Sequence, residues 1–220
     1  MTEGAGRNVI KSALTLSLVA LAGTSLLAGM HHLTAERIAA QERRVVMAQL
    51  EQILPSSRYD NDLAEDTVTF RANTHFPRGQ LVTAHRARKD GQAVAVILRF
   101  RAVDGYNGDI HLLAGILADG SLAGVRVVSH KETPGLGDGI EAERSDWIRG
   151  FDGKSLRDPG PGGWAVKRDG GAFDQFTGAT ITPRAIVDAV HAALEYYRLE
   201  RELLFSLPSD EGAPPRVTSE

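Results

Sequence analysis

Hydrophobic positions fall along this chain in three successive patterns, and each points to a different kind of element. From Ser12 to Ala35 the stretch SALTLSLVALAGTSLLAGMHHLTA carries no formal charge when its histidines are neutral. As an α-helix its 24 residues span roughly 36 Å, enough to cross a hydrocarbon layer of about 30 Å. The pattern predicts a transmembrane helix over 12–33, after a short terminus at 1–11 that holds Arg7 and Lys11. A cleaved signal peptide is the competing reading, since those two basic residues make a positive start and the apolar run is modest. Against it, SLLAGMHH offers no small-x-small cleavage site, and a chain without cysteine cannot be a lipoprotein. Arg7 and Lys11 precede the run while Arg37, Arg43 and Arg44 follow it, so charge counting leaves the orientation open.

From Thr34 to Leu54 the period becomes that of an amphipathic helix. Ala35, Ile38, Ala39, Val45, Val46, Leu50 and Ile53 fall mostly on one face, Glu36 suits the first turn, and Pro55 stops the run. This predicts a linker helix over 34–55 that leads into a folded domain. Glu36, Glu42 and Glu51 dilute its basic charge and weigh against a helix lying on a membrane surface.

The third pattern is that of strands. QLVTAHRARKDGQAVAVILRFRAV has two β-rich segments around Lys89-Asp90-Gly91, and IHLLAGILADGSLAGVRVVSHKE repeats the plan around Asp119-Gly120. Both read as hairpins of one antiparallel sheet. ERSDWIRGF suggests a short helix capped by Ser145, followed by the Gly/Pro-rich DPGPGGW, a short strand from Trp164 to Lys167 and a turn at RDGGAFD. A long helix is expected from Pro183 to Phe205, with Ile186, Val187, Val190, Leu194 and Tyr197 on one face. The fold class is α+β: a single N-terminal transmembrane helix, then a mostly antiparallel sheet with packed helices over 56–206. The polar end, 207–220, reads as a disordered tail.

Composition narrows the chemistry. With 42% hydrophobic and 24% charged residues the chain can bury an ordinary core. A net charge of −3 and no basic stripe interleaved with aromatics argue against nucleic acid. The lack of cysteine removes disulfides, thiolate nucleophiles, cysteine-held zinc and iron-sulfur clusters together. His130 and Glu132 point the same way if their strand continues, but His31, His32, His75, His85, His111 and His191 show no metal spacing, so no metal site is expected.

Two segments are too particular for a bland domain. SHKETPGLGDGIE, from Ser129 to Glu141, breaks from a strand into a loop with Pro134 and glycines at 135, 137 and 139, whose backbone can approach a ligand closely. An ordinary mobile loop is the alternative. In DQFTGATITPRAIVDAV, from Asp174 to Val190, Thr182 can cap the helix and Pro183 suits its first position. That leaves Thr177, Gly178, Ala179 and Thr180 in need of another reason. A helix start favours phosphate, and Arg184 adds charge, but no GK[ST] signature indicates a nucleoside triphosphate.

DQFTGAT, residues 174 to 180, matches the flavinylation motif Asp-x-x-Ser/Thr-Gly-Ala-Thr of the covalent FMN-binding domains. With HKETPGLGD, the SDWI of 145–148 and the GYNG of 105–108, nearly the whole chain resembles the G-subunit family of the Rnf electron-transport complex. The C-type subunits of sodium-translocating NADH:quinone reductase share the flavin motif and the ETPGLG loop, while the chain length and Lys131 resemble Rnf more closely. The resemblance implies FMN joined to Thr180 through a phosphodiester by a flavin transferase that takes FMN from FAD, with Asp174 serving transferase recognition. Such a ring is expected near Glu132, Thr133, Pro134, Gly135, Leu136 and Gly137, with backbone N–H groups bonding its carbonyl oxygens and Leu136 covering an apolar face. Trp147, Trp164 and Tyr106 are weaker ring candidates. It implies a cytoplasmic N-terminus, a flavin domain in the periplasm, and partners that are the membrane and iron-sulfur subunits of a complex coupling electron flow between ferredoxin and NAD to ion movement. On that reading the chain is an electron-carrier subunit rather than a stand-alone enzyme. A membrane-anchored adaptor whose threonine is never modified is the reading from another class.

Overall fold

A computed structural model of the chain describes residues 3–72 and 76–210. One α-helix, α1 (Glu3–Glu51), runs through both the expected span and the expected linker. No proline occurs before Pro55, so nothing in the sequence forces a break where the apolar run ends. From Leu14 onward α1 is long and apolar enough to cross a membrane. The chain divides into two compact units, Met1–Val45 and Val46–Glu220.

The second unit is built on a five-stranded antiparallel sheet in sequence order: β1 (Thr67–Arg71), β2 (Leu81–Lys89), β3 (Gln92–Ala102), β4 (Ile110–Leu117) and β5 (Leu122–Ser129). Both expected hairpins are present. Asp90 and Gly91 take positive φ (51° and 74°), as the type I′ turn of a two-residue hairpin requires. The edge strand β1 was not among the expected elements. Its TVTFR is short and follows an acidic, irregular stretch, so little period-2 signal was available.

Alternation along the strands gives the sheet two apolar faces. On one, Val82, Ala84, Val96, Leu98, Phe100, Leu112, Ala114 and Ile116 pack beneath Ile186, Val187, Val190 and Leu194 of helix α2 (Ile181–Ser206). On the other, Leu50, Ile53, Leu54 and Leu63 cover Ala87, Ala95, Ile97 and Leu113. Ile53 sits so close over β4 that a Cβ on Gly115 would collide with its methyl group.

The C-terminal end of α2 is held by buried charge. Arg86, 2% exposed, donates to the carbonyls of Leu204 (3.1 Å) and Leu207 (2.5 Å), to Ser209 Oγ (2.6 Å) and to Asp66 (2.7 Å). Arg88 bonds Asp66 (2.9 Å) and the Phe205 carbonyl (3.1 Å). Beyond the helix, the Asp210 amide donates to the Thr67 carbonyl, and its carboxylate accepts the Thr69 amide. The chain is therefore packed through Asp210, and 211–220 lie outside the described residues.

Two local expectations change. Trp164–Lys167 is not a strand: Trp164 and Val166 are buried in alternation, but Val166 makes only an isolated bridge to Phe173 before a 3-10 turn at Lys167–Asp169. The segment after Ser145 is a 3-10 helix, Trp147–Phe151, whose first amide does reach Ser145 Oγ (3.2 Å).

Candidate functional site

Three connections meet at one end of the sheet: the β3–β4 loop (103–109), the loop after β5 (130–137) and the approach to α2 (174–180). Glu132 joins them. Its carboxylate, 4% exposed, accepts the Thr182 hydroxyl at 2.5 Å and the Asn107 amide at 3.0 Å. Asn107 also donates its side-chain amide to Thr133 Oγ1 (3.0 Å).

That bond corrects the expected helix start. The residue at the N-cap of α2 is Thr180, with Thr182 and Pro183 already inside the helix. Thr182 is fully buried and spends its hydroxyl on Glu132 rather than on capping. Thr180 is half-buried, and its side chain makes no capping bond. Its carbonyl accepts the Arg184 amide, while the amides of Ile181 and Thr182 face a helix start with no carbonyl one turn behind them.

Upstream, Phe176 to Ala179 form a tight turn closed by the Ala179 amide on the Phe176 carbonyl (3.1 Å). Gly178 has φ +82°, the value a type II turn demands at its third position and glycine adopts without strain. Thr177 stands exposed at the corner. The turn is anchored from below: Trp147 Nε1 donates to the Asp174 carbonyl (2.7 Å), and the Trp147 and Phe176 rings meet edge-to-face with centroids 5.4 Å apart. Phe176 lies over Gly139, where a Cβ would approach the ring to 3.1 Å. Across the gap Leu136, half exposed, comes within 3.9 Å of a Cβ position on Gly178. Between the two loops runs an open groove of about 560 Å³, lined by Leu136, Gly139, Arg144, Ser145, Phe176 and Thr177.

The remaining expected residues divide. In the ETPGLG loop the Leu136 and Gly137 amides bond the Thr133 carbonyl (3.1 and 3.0 Å), and the Gly135 amide bonds Asp138 Oδ1 (2.8 Å). Those N–H groups hold the loop's own shape and are not turned toward a ligand. Pro134, with no N–H, is exposed beside them. Arg184 makes a two-pronged ion pair with Asp169 (2.7 and 3.0 Å), which holds the Asp169 carboxyl below the usual range. Asp174 is exposed and pairs with Lys167 at 2.6 Å. Trp164 belongs to the core, tilted against Phe173 and stacked on His191, whereas Tyr106 is exposed at the loop tip. His130 accepts the Glu132 amide at Nδ1 and donates from Nε2 to Glu141 (2.7 Å). The bond from His130, with that from Arg144, lowers the Glu141 pKa. No group of metal ligands occurs among the described residues, and His75 lies outside them.

Asn107 and Phe176 were not singled out from sequence. Asn107 lies in the quoted GYNG and Phe176 at an unspecified position of the motif, so the signal was the motif itself.

The donor set suits a phosphate ester and a flat ring in part. An uncommitted hydroxyl at a helix start, two amides there, and the apolar sides of Leu136 and Phe176 fit such a group. The amides of residues 135–137 do not.

Comparison with known proteins gives matches along the chain. Residues 105–195 match the FMN-binding domain family, and residues 1–53 match the RnfG N-terminal region. The chain is similar to the G subunit of the ion-translocating oxidoreductase complex of Pseudomonas aeruginosa, with 50% identity over 94% of this chain and 96% of that protein. It is similar to the proteins of the same name from Vibrio vulnificus (43% identity, 92% and 95%) and Pseudoalteromonas atlantica (40%, 92% and 94%).

Proposed function

Because the chain belongs to the G-subunit family of ion-translocating oxidoreductase complexes and contains an FMN-binding domain, we propose that it carries FMN covalently on Thr180 as an electron carrier. The observation that supports this most is the state of the three hydroxyls. Thr182 is buried on Glu132, Thr177 stands at a solvent corner, and Thr180 alone is placed at the helix start without a capping bond.

In the attachment step the Thr180 Oγ bonds to the FMN phosphorus of FAD, the pyrophosphate bond breaks, AMP leaves, and the hydroxyl proton is released. A flavin transferase would supply that chemistry, with Asp174, exposed and paired with Lys167, serving its recognition. FMN then contributes the capacity to take up and return one or two electrons. The residues of this chain do the holding. The Ile181 and Thr182 amides and the positive end of α2 stabilise the phosphodiester. Leu136 and Phe176 offer apolar surface to the ring, and Glu132 keeps the loops that carry them in register with Thr180. Covalent linkage replaces a binding equilibrium with permanent occupancy, which suits a domain on the periplasmic side with its N-terminus in the cytoplasm. The partners are the membrane and iron-sulfur subunits of an Rnf-type complex that links ferredoxin and NAD to ion movement. Names of the relatives favour this complex over the quinone-reductase one.

Co-expression with a flavin transferase tests the reading. Wild type is expected to run as a fluorescent band on a denaturing gel and to gain the mass of FMN less water. Thr180→Val should stay dark and unmodified, while Thr177→Val should be labelled. Wild-type protein at its unmodified mass under these conditions refutes the proposal.

A further inference from the structure

The sheet face opposite α2 is only partly covered by residues 50–63, and the part left open is basic. On β3, Arg99 and Arg101 follow Ala95 and Ile97 on this face. The register places Thr83 and Leu113 on either side of Arg99, His111 beside Arg101, and Arg126 beside Leu113. Arg71 on β1 stands opposite Leu81, which is 47% exposed. Four arginines and a histidine thus occupy two adjacent rows, and no lysine shares them; Arg71 is exposed and Arg99 and Arg101 partly so, whereas Arg126, its side chain 16% exposed, bonds the Gln52 carbonyl (3.3 Å) and marks the covered edge. Among the described residues, the ion pairs of these rows lie at their margins: Asp109 pairs with Arg101 (2.6 Å), and Asp152 lies 3.9 Å from Arg126. Arg99 makes no ion pair among the described residues. In a chain with 28 acidic and 25 basic residues, this is a segregated positive patch.

The patch lies at the functional end of the sheet. Arg101 and His111 flank the loop that contains Asn107, and Ser129, paired with His111, leads directly into the loop of Glu132. Its cations stand on hydrogen-bonded strands, which sets the spacing of their backbone positions before any partner arrives. Arginine, with its planar fork, is suited to carboxylates and is enriched at protein interfaces, where lysine is depleted. We propose that this face docks the acidic surface of an electron-transfer protein beside the groove of Leu136 and Phe176. The docking stands by itself; the redox role of the partner rests on the flavin reading above. Complementary charge of this kind chiefly sets the rate and orientation of encounter.

Because the chain has no cysteine, Thr83→Cys creates its sole thiol, in the row of Arg99. The test uses full-length, flavinylated protein within the purified complex, with a benzophenone maleimide at position 83 as the probe. Irradiation is expected to capture a peptide of another subunit rich in Asp and Glu. The yield should fall about tenfold when Arg99→Gln and Arg101→Gln are added or when salt is raised. Those neutral variants should keep their in-gel flavin fluorescence, which reports an intact domain. Capture of lipid alone, of a peptide without acidic residues, or of nothing overturns the proposal, as does a yield indifferent to the arginines. Unmodified mass at Thr180 together with salt-sensitive capture would instead remove the redox role and keep the docking surface.

Discussion

Glu132 and Thr182 stand 50 positions apart in sequence and share one short hydrogen bond. A carboxylate that is only 4% exposed persists where its oxygens are occupied, here by the Thr182 hydroxyl and the Asn107 amide. Two glycines clear the space around it: a Cβ on Gly105 or Gly137 would stand 3.0 Å from a carboxylate oxygen. Thr182→Val keeps the shape and removes the donor. We expect a loss of about 1.5–3 kcal/mol, the usual worth of a hydrogen bond to a charged group, seen as a lower unfolding midpoint of the detergent-solubilised chain. Thr182→Ser should recover most of it, and an unaltered midpoint in the valine variant would show that the bond carries no net stability. The sequence suggested a different role for this residue, because Thr-Pro before an apolar period is a helix-start signal whatever the side chain touches. A partner half a hundred residues away leaves no local trace. Thr180, by contrast, was singled out through a contiguous motif, which needs no knowledge of the fold.

Helix α2 is fastened at both ends by groups on other elements: Glu132 near its start, and Arg86 and Arg88 at its last carbonyls. Cations suit the negative end of a helix, and here Arg86 is buried while Arg88 is partly exposed. Burial alone would raise the Asp66 carboxyl, but hydrogen bonds from Arg88, Ser209 and Arg86 outweigh it and hold the pKa below the ordinary value. Arg86→Met should leave Asp66 short of its main buried partner and cost about 3–5 kcal/mol, read as a fall in thermal midpoint. Strand β2 also contributes a pH response through His85. Burial, foremost, and the charge of Arg99 push its imidazole below the ordinary histidine range, against the bond its Nδ1–H makes to the Leu63 carbonyl (2.8 Å). The unfolded chain takes up that proton near pH ~6.5 while the folded one resists it. The contribution is therefore full above that pH and is lost as pH falls, by at most about 1.4 kcal/mol per unit. Midpoints measured from pH ~7 down to ~5 should decline less in His85→Gln; parallel curves would assign the acid sensitivity to other groups. Neither fastening was legible in the sequence, since Arg86 and His85 sit in a strand whose alternation is interrupted by a register shift at Ala87/Arg88.

At the scale of the whole molecule, the α+β class, the apolar N-terminal helix and both central hairpins followed from period and turn chemistry alone. What did not follow was set by tertiary partners: β1, which pairs at an edge, the absent strand at Trp164–Lys167, and the packing of Leu207 to Asp210. The loops at the functional end look from sequence like mobile glycine-rich connections. In the structure the Asn107 amide is held by Glu132, the Gly135 amide by Asp138, and the Leu136 and Gly137 amides by the Thr133 carbonyl. Glu132 ties the Asn107 loop and its own loop to Thr182 of α2, so their opening is expected to be coupled. Hydrogen–deuterium exchange should accordingly show these amides protected despite their surface position. They should exchange together, at a rate shared with the first turn of α2, and Thr182→Val should speed all of them in concert. Independent exchange loop by loop would show that the shared carboxylate does not couple them. Concerted exchange would mean that the end of the sheet carrying the groove behaves in solution as a single cooperative unit rather than as three surface loops.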